Sequence, residues 1–183
     1  MVNIYKAKPK ASLQGKTLTL TINRSDYEVH GISQHDGKIA FVSDALPGEQ
    51  VRASVTEDKA GFIKATTTQV LQASPLRITA PCQYAAHCGG CQLQHLVPQS
   101  QRQLKQQGID QLIRHQTGLV SLPWQPMLTA ADTGYRRRAR ISIWYDKKQR
   151  RFAVGFRRQA DKQIVGIDHC MVLSGKLTPV FNV

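Results

Sequence analysis

Apolar residues fall on alternate positions early in the chain. Leu18, Leu20 and Ile22 alternate with threonines and an asparagine, Ile39 and Phe41 follow Gly37, Val51, Ala53 and Val55 alternate with polar neighbours, and residues 62–71 form a further run. A period of two is what the pleat imposes on a half-buried strand. Turn chemistry separates the runs: His35-Asp36-Gly37-Lys38 reads as a hairpin, Leu46-Pro47-Gly48-Glu49 as a tight turn and Lys59-Ala60-Gly61 as another. Five short strands in so short a stretch predict a small barrel of the OB type, which escapes open edges by closing on itself. Ser74-Pro75 ends it.

Residues 81–96 are loop-like, with Gly89-Gly90 between two cysteines. Residues 98–116 then carry Leu104, Gly108, Leu112 and Ile113 near helical spacing, and Gly118 is placed to stop the helix. From Tyr135 the period of two returns over residues 135–145, 150–158 and 163–167, joined by the polar turns Asp146-Lys147-Lys148-Gln149 and Gln159-Ala160-Asp161-Lys162. This pattern predicts an antiparallel meander. The expected fold is therefore mainly β with some α. A flexible basic arm covers residues 1–14, the five-stranded OB-type barrel residues 15–75, and a small α+β domain residues 76–183, with its helix at about 98–116 and its meander at about 135–167.

Charge adds a partner to this picture. The chain carries 25 Lys and Arg against 12 Asp and Glu, a formal net charge of +13 with a pI near 10.0. Such a balance selects polyanions, because cations on phosphates release counterions and bind without sequence preference. Residues 134–158 hold ten Lys and Arg against Asp146 alone. Alternation over residues 135–145 would place Arg136, Arg138, Arg140, Ser142 and Trp144 on one face, and Tyr135, Arg137, Ala139, Ile141, Ile143 and Tyr145 on the other. Three arginines at every second position would form a ladder about 6.6–7 Å per step, near the spacing of successive phosphates. Arg150, Arg151, Arg157 and Arg158 would widen the patch from the paired strand, with Lys147 and Lys148 in the turn. Trp144, Tyr135 or Phe156 could stack on an unpaired base, although single aromatics in strands more often serve the core.

Four cysteines add a second chemistry. Cys82 is followed by Cys88 and Cys91, and Cys170 lies far downstream. The start MVNIYKAKPK has no signal-peptide apolar run and no stretch of eighteen apolar residues occurs, so a cytoplasmic protein without a membrane partner is expected. Disulfides are rare in that compartment, which favours metal ligands or reactive thiols. Three thiols on one loop with a remote fourth suit a four-iron cluster. His87, His95 and His169 nearby keep a zinc site open. No Gly-x-Gly, paired carboxylates or Ser/His/Asp set stands out, so no catalytic apparatus is visible.

The motifs together resemble a known family. Leu46-Pro47-Gly48-Glu49, Val55-Thr56-Glu57-Asp58-Lys59, Ser74-Pro75-Leu76-Arg77, Cys88-Gly89-Gly90-Cys91-Gln92-Leu93-Gln94-His95, Gly134-Tyr135-Arg136-Arg137-Arg138-Ala139-Arg140, Val154-Gly155-Phe156-Arg157 and Asp168-His169-Cys170 are similar to bacterial 23S rRNA (uracil-5-)-methyltransferases of the RumA, or RlmD, type. The resemblance implies a TRAM barrel that binds RNA, a [4Fe-4S] cluster held by Cys82, Cys88, Cys91 and Cys170, and a central domain that joins in gripping 23S rRNA. It also implies that S-adenosylmethionine and the attacking cysteine belong to a C-terminal domain that cannot be mapped here, so that a monomeric chain of this length binds RNA without methylating it. The family's Gly-x-Gly in the barrel is Val29-His30-Gly31 here, which puts a tight backbone approach at that point in question. The alternative is a stand-alone RNA-binding or metal-stapled, ribosome-associated module.

Overall fold

The computed structural model describes residues 12–147, 150–159 and 161–181. The chain divides into two compact units, one gathering residues up to Pro75 with Leu104–Leu112, the other Leu76–Gln103 with the residues from Ile113 onward. Most of the expected basic arm, residues 1–11, lies outside the described residues. No described helix is long and apolar enough to cross a membrane.

The first unit is a six-stranded sheet. Its strands are β1 (Thr17–Thr21), β2 (Arg24–Ser25), β3 (Gly31–His35), β4 (Lys38–Ser43), β5 (Gln50–Asp58) and β6 (Phe62–Gln72), in the order β1-β5-β6-β4-β3-β2. The two strands at the ends of this order are neighbours in sequence. β1 pairs with β5 and β2 with β3, and between them Ile22 N–H donates to the Glu49 carbonyl at 2.8 Å and Asn23 N–H to that of Ile32 at 2.9 Å. One bent run of chain therefore serves both ends, so the sheet curls round on itself. The expected five strands become six because this run bends at Ile22, a change of partner that alternation does not encode.

Inside the curl, Leu20, Ile22, Ala40, Val42, Val51, Ala53, Val55, Ile63 and Ala65 are buried. In β4 the inward face is Ala40 and Val42, not the expected Ile39 and Phe41: Ile39 is exposed and Phe41 packs half-buried against Phe62 on the other side, because a strand with apolar residues on both faces does not by alternation say which one is buried. The β3–β4 hairpin turns through Asp36 and Gly37, both at positive φ, which matches the twist of the flanking strands. Val29 takes φ 66°, and a Cβ on Gly31 would come within 2.8 Å of Ile22 Cγ2 and 3.0 Å of the Ala45 carbonyl oxygen. The tight approach questioned above is thus kept, by Gly31.

Helix α1 (Pro98–Thr117) starts with proline in its first turn and ends at Gly118, which takes φ 73° and donates its N–H to the Arg114 carbonyl. Gly108 costs a helix interior about 1 kcal/mol relative to alanine. Its reason is steric, since a Cβ there would stand 2.5 Å from the Asp26 carbonyl oxygen.

The second unit carries the antiparallel meander β7 (Ser142–Asp146), β8 (Arg151–Arg157) and β9 (Ile164–Gly166), followed by a 3-10 turn over Gly175–Phe181. Val154, Ile167, Leu173 and Phe181 form its buried cluster, with Tyr84, Phe156 and Cys170 packed against it. The strand expected from residue 135 begins only at Ser142. Residues ahead of it make one parallel bridge, Arg136 with Leu173, where Arg136 N–H donates to the Val172 carbonyl and Ser174 N–H to that of Arg136.

The Leu46–Glu49 turn holds a buried carboxyl group that organises the first unit. Glu49 is fully buried, its carboxylate accepting the Leu46 N–H at 2.9 Å and the Ser74 N–H at 3.2 Å, while its carbonyl receives Ile22 at the bend. Truncation strands two buried backbone donors, so Glu49→Ala should cost about 2–4 kcal/mol in a urea melt, and Glu49→Gln, which keeps an acceptor, clearly less. Equal midpoints for parent and alanine variant would refute this role.

Candidate metal centre and nucleic-acid face

The four cysteines reach one place from two parts of the chain. Cys82, Cys88 and Cys91 sit in the loop ahead of α1, and Cys170 follows β9. All four are half-buried, all are free thiols, and all line a single cavity together with Tyr84, Gln94, Arg136, Phe156 and His169. The loop coils through short turns: Ala85 N–H donates to the Cys82 carbonyl at 3.0 Å and Cys88 N–H to that of Tyr84 at 2.8 Å.

The loop is fastened to β8 by its backbone. Gly89 N–H donates to the Arg157 carbonyl at 2.9 Å, Cys88 pairs antiparallel with Arg158, and Gln159 N–H reaches the His87 carbonyl at 3.4 Å. A Cβ on Gly89 would meet the Arg157 carbonyl oxygen at 2.9 Å and the Arg158 carbonyl carbon at 3.2 Å, so the first glycine is needed for close approach. The second has another task, since Gly90 N–H points at Cys88 Sγ from 3.4 Å.

Electrostatics at these thiols suits a cation. Burial pushes the Cys88 thiol up, the Gly90 N–H pulls it back, and Cys91, Cys170 and Cys82 push it up again. Four thiolates cannot share this apolar space without a positive group to offset their repulsion. Soft sulfur donors in that number fit zinc or an iron-sulfur cluster, so the donor set matches the chemistry the sequence implies. Tyr84, which spacing arguments do not single out, ties the loop to the segment ahead of Cys170. It accepts the Asp168 N–H at 3.2 Å, and its hydroxyl together with His169 holds the Asp168 carboxyl below the ordinary 3.8.

The arginines are arranged otherwise than expected. No ladder exists over residues 136–140, because that segment forms no strand. Arg136 is half-buried and lines the thiol cavity, while Arg137, Arg138 and Arg140 are exposed. Alternation failed here because the stretch has no continuous apolar face to dock, and only Ile141 meets the core. Arg151 and Arg157 are exposed on β8, Arg150 sits in the turn at φ 51°, Arg158 follows the strand, and Lys147 is exposed. Lys148 lies outside the described residues.

Of the three candidate stacking residues, Trp144 is 63% exposed, Tyr135 is exposed with Arg136 over its ring, and Phe156 is half-buried against the core. Phe156 therefore belongs to the cavity walls. In the first unit, Asp26, Glu28 and His30 place ligand atoms within 4.8 Å of one another. The local turn accounts for them: the Asp26 carboxylate accepts the Glu28 and His30 N–H groups and pairs with His30 Nδ1 at 3.1 Å.

Residues 11–68 match the TRAM domain family. Along its whole length the chain is 42% identical to 23S rRNA (uracil(1939)-C(5))-methyltransferase RlmD of Pseudoalteromonas translucida, covering 41% of that protein. The protein of the same name from Photorhabdus laumondii is 37% identical over 97% of this chain and 40% of its own length. The chain thus spans about two-fifths of the curated relatives it matches. Among solved structures, the Pyrococcus abyssi tRNA (uracil-54, C5)-methyltransferase in complex with S-adenosyl-L-homocysteine aligns at TM-score 0.52 and 23% identity, over 90% of this chain and 35% of that one. A likeness at that identity is one of fold.

Tyr84→Phe removes the hydroxyl that tethers residue 168, so the thiols should react faster with a disulfide reagent while the far-ultraviolet dichroism stays unchanged. Because the Asp168 pKa is depressed, the tether is fully present above the ordinary 3.8 and fades only as pH falls through the lower folded value. Parent and variant labelled at equal rates near neutral pH would show that the tyrosine does not hold the site closed.

Proposed function

We propose that this chain, which belongs to the RlmD-type family of 23S rRNA (uracil-C5)-methyltransferases, is the RNA-gripping and cluster-bearing portion of such an enzyme. Its RNA partner is 23S rRNA in the cytoplasm, and the modified base is of the uracil-1939 kind that the relatives' names print. Methyl transfer from S-adenosylmethionine is the activity proposed for the whole protein, and the part described here, a monomer, is assigned the RNA-binding and metal-holding roles.

The observation that carries this reading is the convergence of Cys82, Cys88, Cys91 and Cys170 on one cavity beside an arginine-rich strand end. A [4Fe-4S] cluster is the favoured occupant. Among the described residues, no three of these thiols have sulfurs all within 4.8 Å of one another. A single zinc, at ~2.3 Å from each ligand, would draw four sulfurs to about 3.8 Å. The wider setting supports a polynuclear group. Bound there, it would supply a rigid four-point junction between the loop and the segment after β9. The protein's own residues do the rest: Gly90 directs an N–H at sulfur, Arg136 brings positive charge to the cavity wall, and Tyr84 fixes the approach to Cys170.

Anaerobic purification with iron, sulfide and zinc counted per chain tests this directly. About four irons and four sulfides with brown colour are expected, and Cys170→Ser should lose them and lower the melting temperature. One zinc without colour would replace the proposal with a zinc-stapled RNA-binding module. A serine variant that keeps its metal and its melting temperature would remove Cys170 from the site.

A further inference from the structure

On the outer side of the cysteine loop lies a second, open groove. Arg140, Arg157 and Arg158 line it with Gln92, Gln159 and Ser142, around the backbone of Gly89 and Gly90, and no carboxylate is on its walls. Its volume is about 460 Å³, within the range of small-ligand clefts. Arg158 is partly engaged, holding Gln163 at 3.3 Å and Asp161 at 3.7 Å. Among the described residues, Arg140 and Arg157 have no carboxylate partner. Two unpaired guanidinium groups facing neutral amide and hydroxyl side chains form a receptor for an anion that also accepts hydrogen bonds, which is the description of a phosphodiester.

The groove and the thiol cavity share a wall. Gly90 and Phe156 line both, and Arg157 and Arg158 are the residues whose backbones are paired with Gly89 and Cys88. Whatever fixes the cysteine loop therefore fixes the two arginines. We infer that this groove is a phosphate-binding site for RNA whose shape is set by the cysteine loop, so that filling the four-thiol site raises RNA affinity. The inference rests on the RNA-binding reading above. It adds a named site and a coupling: the loop acts as a positioning element, and Arg140 and Arg157 make the contact.

The test uses the whole chain, metal-loaded and metal-stripped, with a short fluorescein-labelled RNA hairpin as probe and anisotropy read across a salt series. For the loaded protein, Arg140→Ala with Arg157→Ala should weaken binding about tenfold or more and reduce the slope of log affinity against log salt by about 2, one unit per lost phosphate contact. Metal content and melting temperature should stay at the parent's values, since both side chains are exposed. Stripping the metal from the parent should produce a similar loss of affinity, and the double variant should lose little more when stripped.

Parent-like affinity in the loaded double variant would overturn the phosphate site while leaving the RNA-binding reading intact. Parent protein indifferent to stripping would overturn the coupling. Loaded parent that does not bind the hairpin at all would defeat the functional reading itself.

Discussion

Gly89 can lie against the Arg157 carbonyl only because it has no side chain, and much in the second unit depends on that approach. The contact brings the backbone of Cys88 into register with Arg158 and holds two of the thiol-bearing turns at the end of β8. From the other side, Cys170 is delivered by the chain leaving β9, with Tyr84 bound at Asp168. A loop of this composition has few apolar groups of its own to bury. Its position is set by backbone pairing and, in the proposed reading, by a metal group on the sulfurs.

Elements in which local chemistry and tertiary demand agree were legible in the sequence. The β3–β4 turn needed Asp36-Gly37, the helix needed Pro98 and Gly118, and the inward faces of β1 and β5 follow simple alternation, whereas β4, apolar on both faces, turns Ala40 and Val42 inward in place of Ile39 and Phe41. Two further features were not legible. The bend at Ile22 depends on what the backbone meets on each side, Glu49 before and Ile32 after, and neither partner is near in sequence. The arginine stretch has the right period but lacks an apolar face, and a period of two among charged residues specifies no side to bury. Spacing did identify the cysteines as a group, whereas their joint cavity, the tether from Tyr84 and the place of Arg136 on its wall required the fold.

The meander hairpin divides its faces. Tyr145 lies opposite Phe152 and Ile143 opposite Val154, so these four share the side that reaches the core, yet only Val154 is buried. Ile143 is 65% and Phe152 57% exposed, beyond the reach of the cluster around Val154. Trp144 opposes Ala153 on the reverse side, where Arg151 and Arg157 also lie by alternation. Ile143, Tyr145 and Phe152 are therefore kept off the face that carries Arg151 and Arg157, while the exposed ring of Trp144 stands among those arginines.

The two units differ in how they hold themselves together. The first has ten buried apolar residues in its main cluster and a fully buried carboxylate satisfied by backbone donors, enough to close a small sheet. The second has four in the cluster around Val154, and its long loops bury little more among the described residues. Small cores of that kind commonly need a covalent or metal staple, because ordering each residue costs about as much as burial returns. Free thiols converging from distant parts of the chain are such a staple when metal joins them, and closing so long a loop constrains the unfolded chain strongly. Cys88, one of the residues that would bind the metal, pairs with Arg158, and its neighbour Gly89 with Arg157. If the proposed metal and RNA sites are both occupied, stability and recognition in this unit would meet at one junction, and a change there should be felt in both.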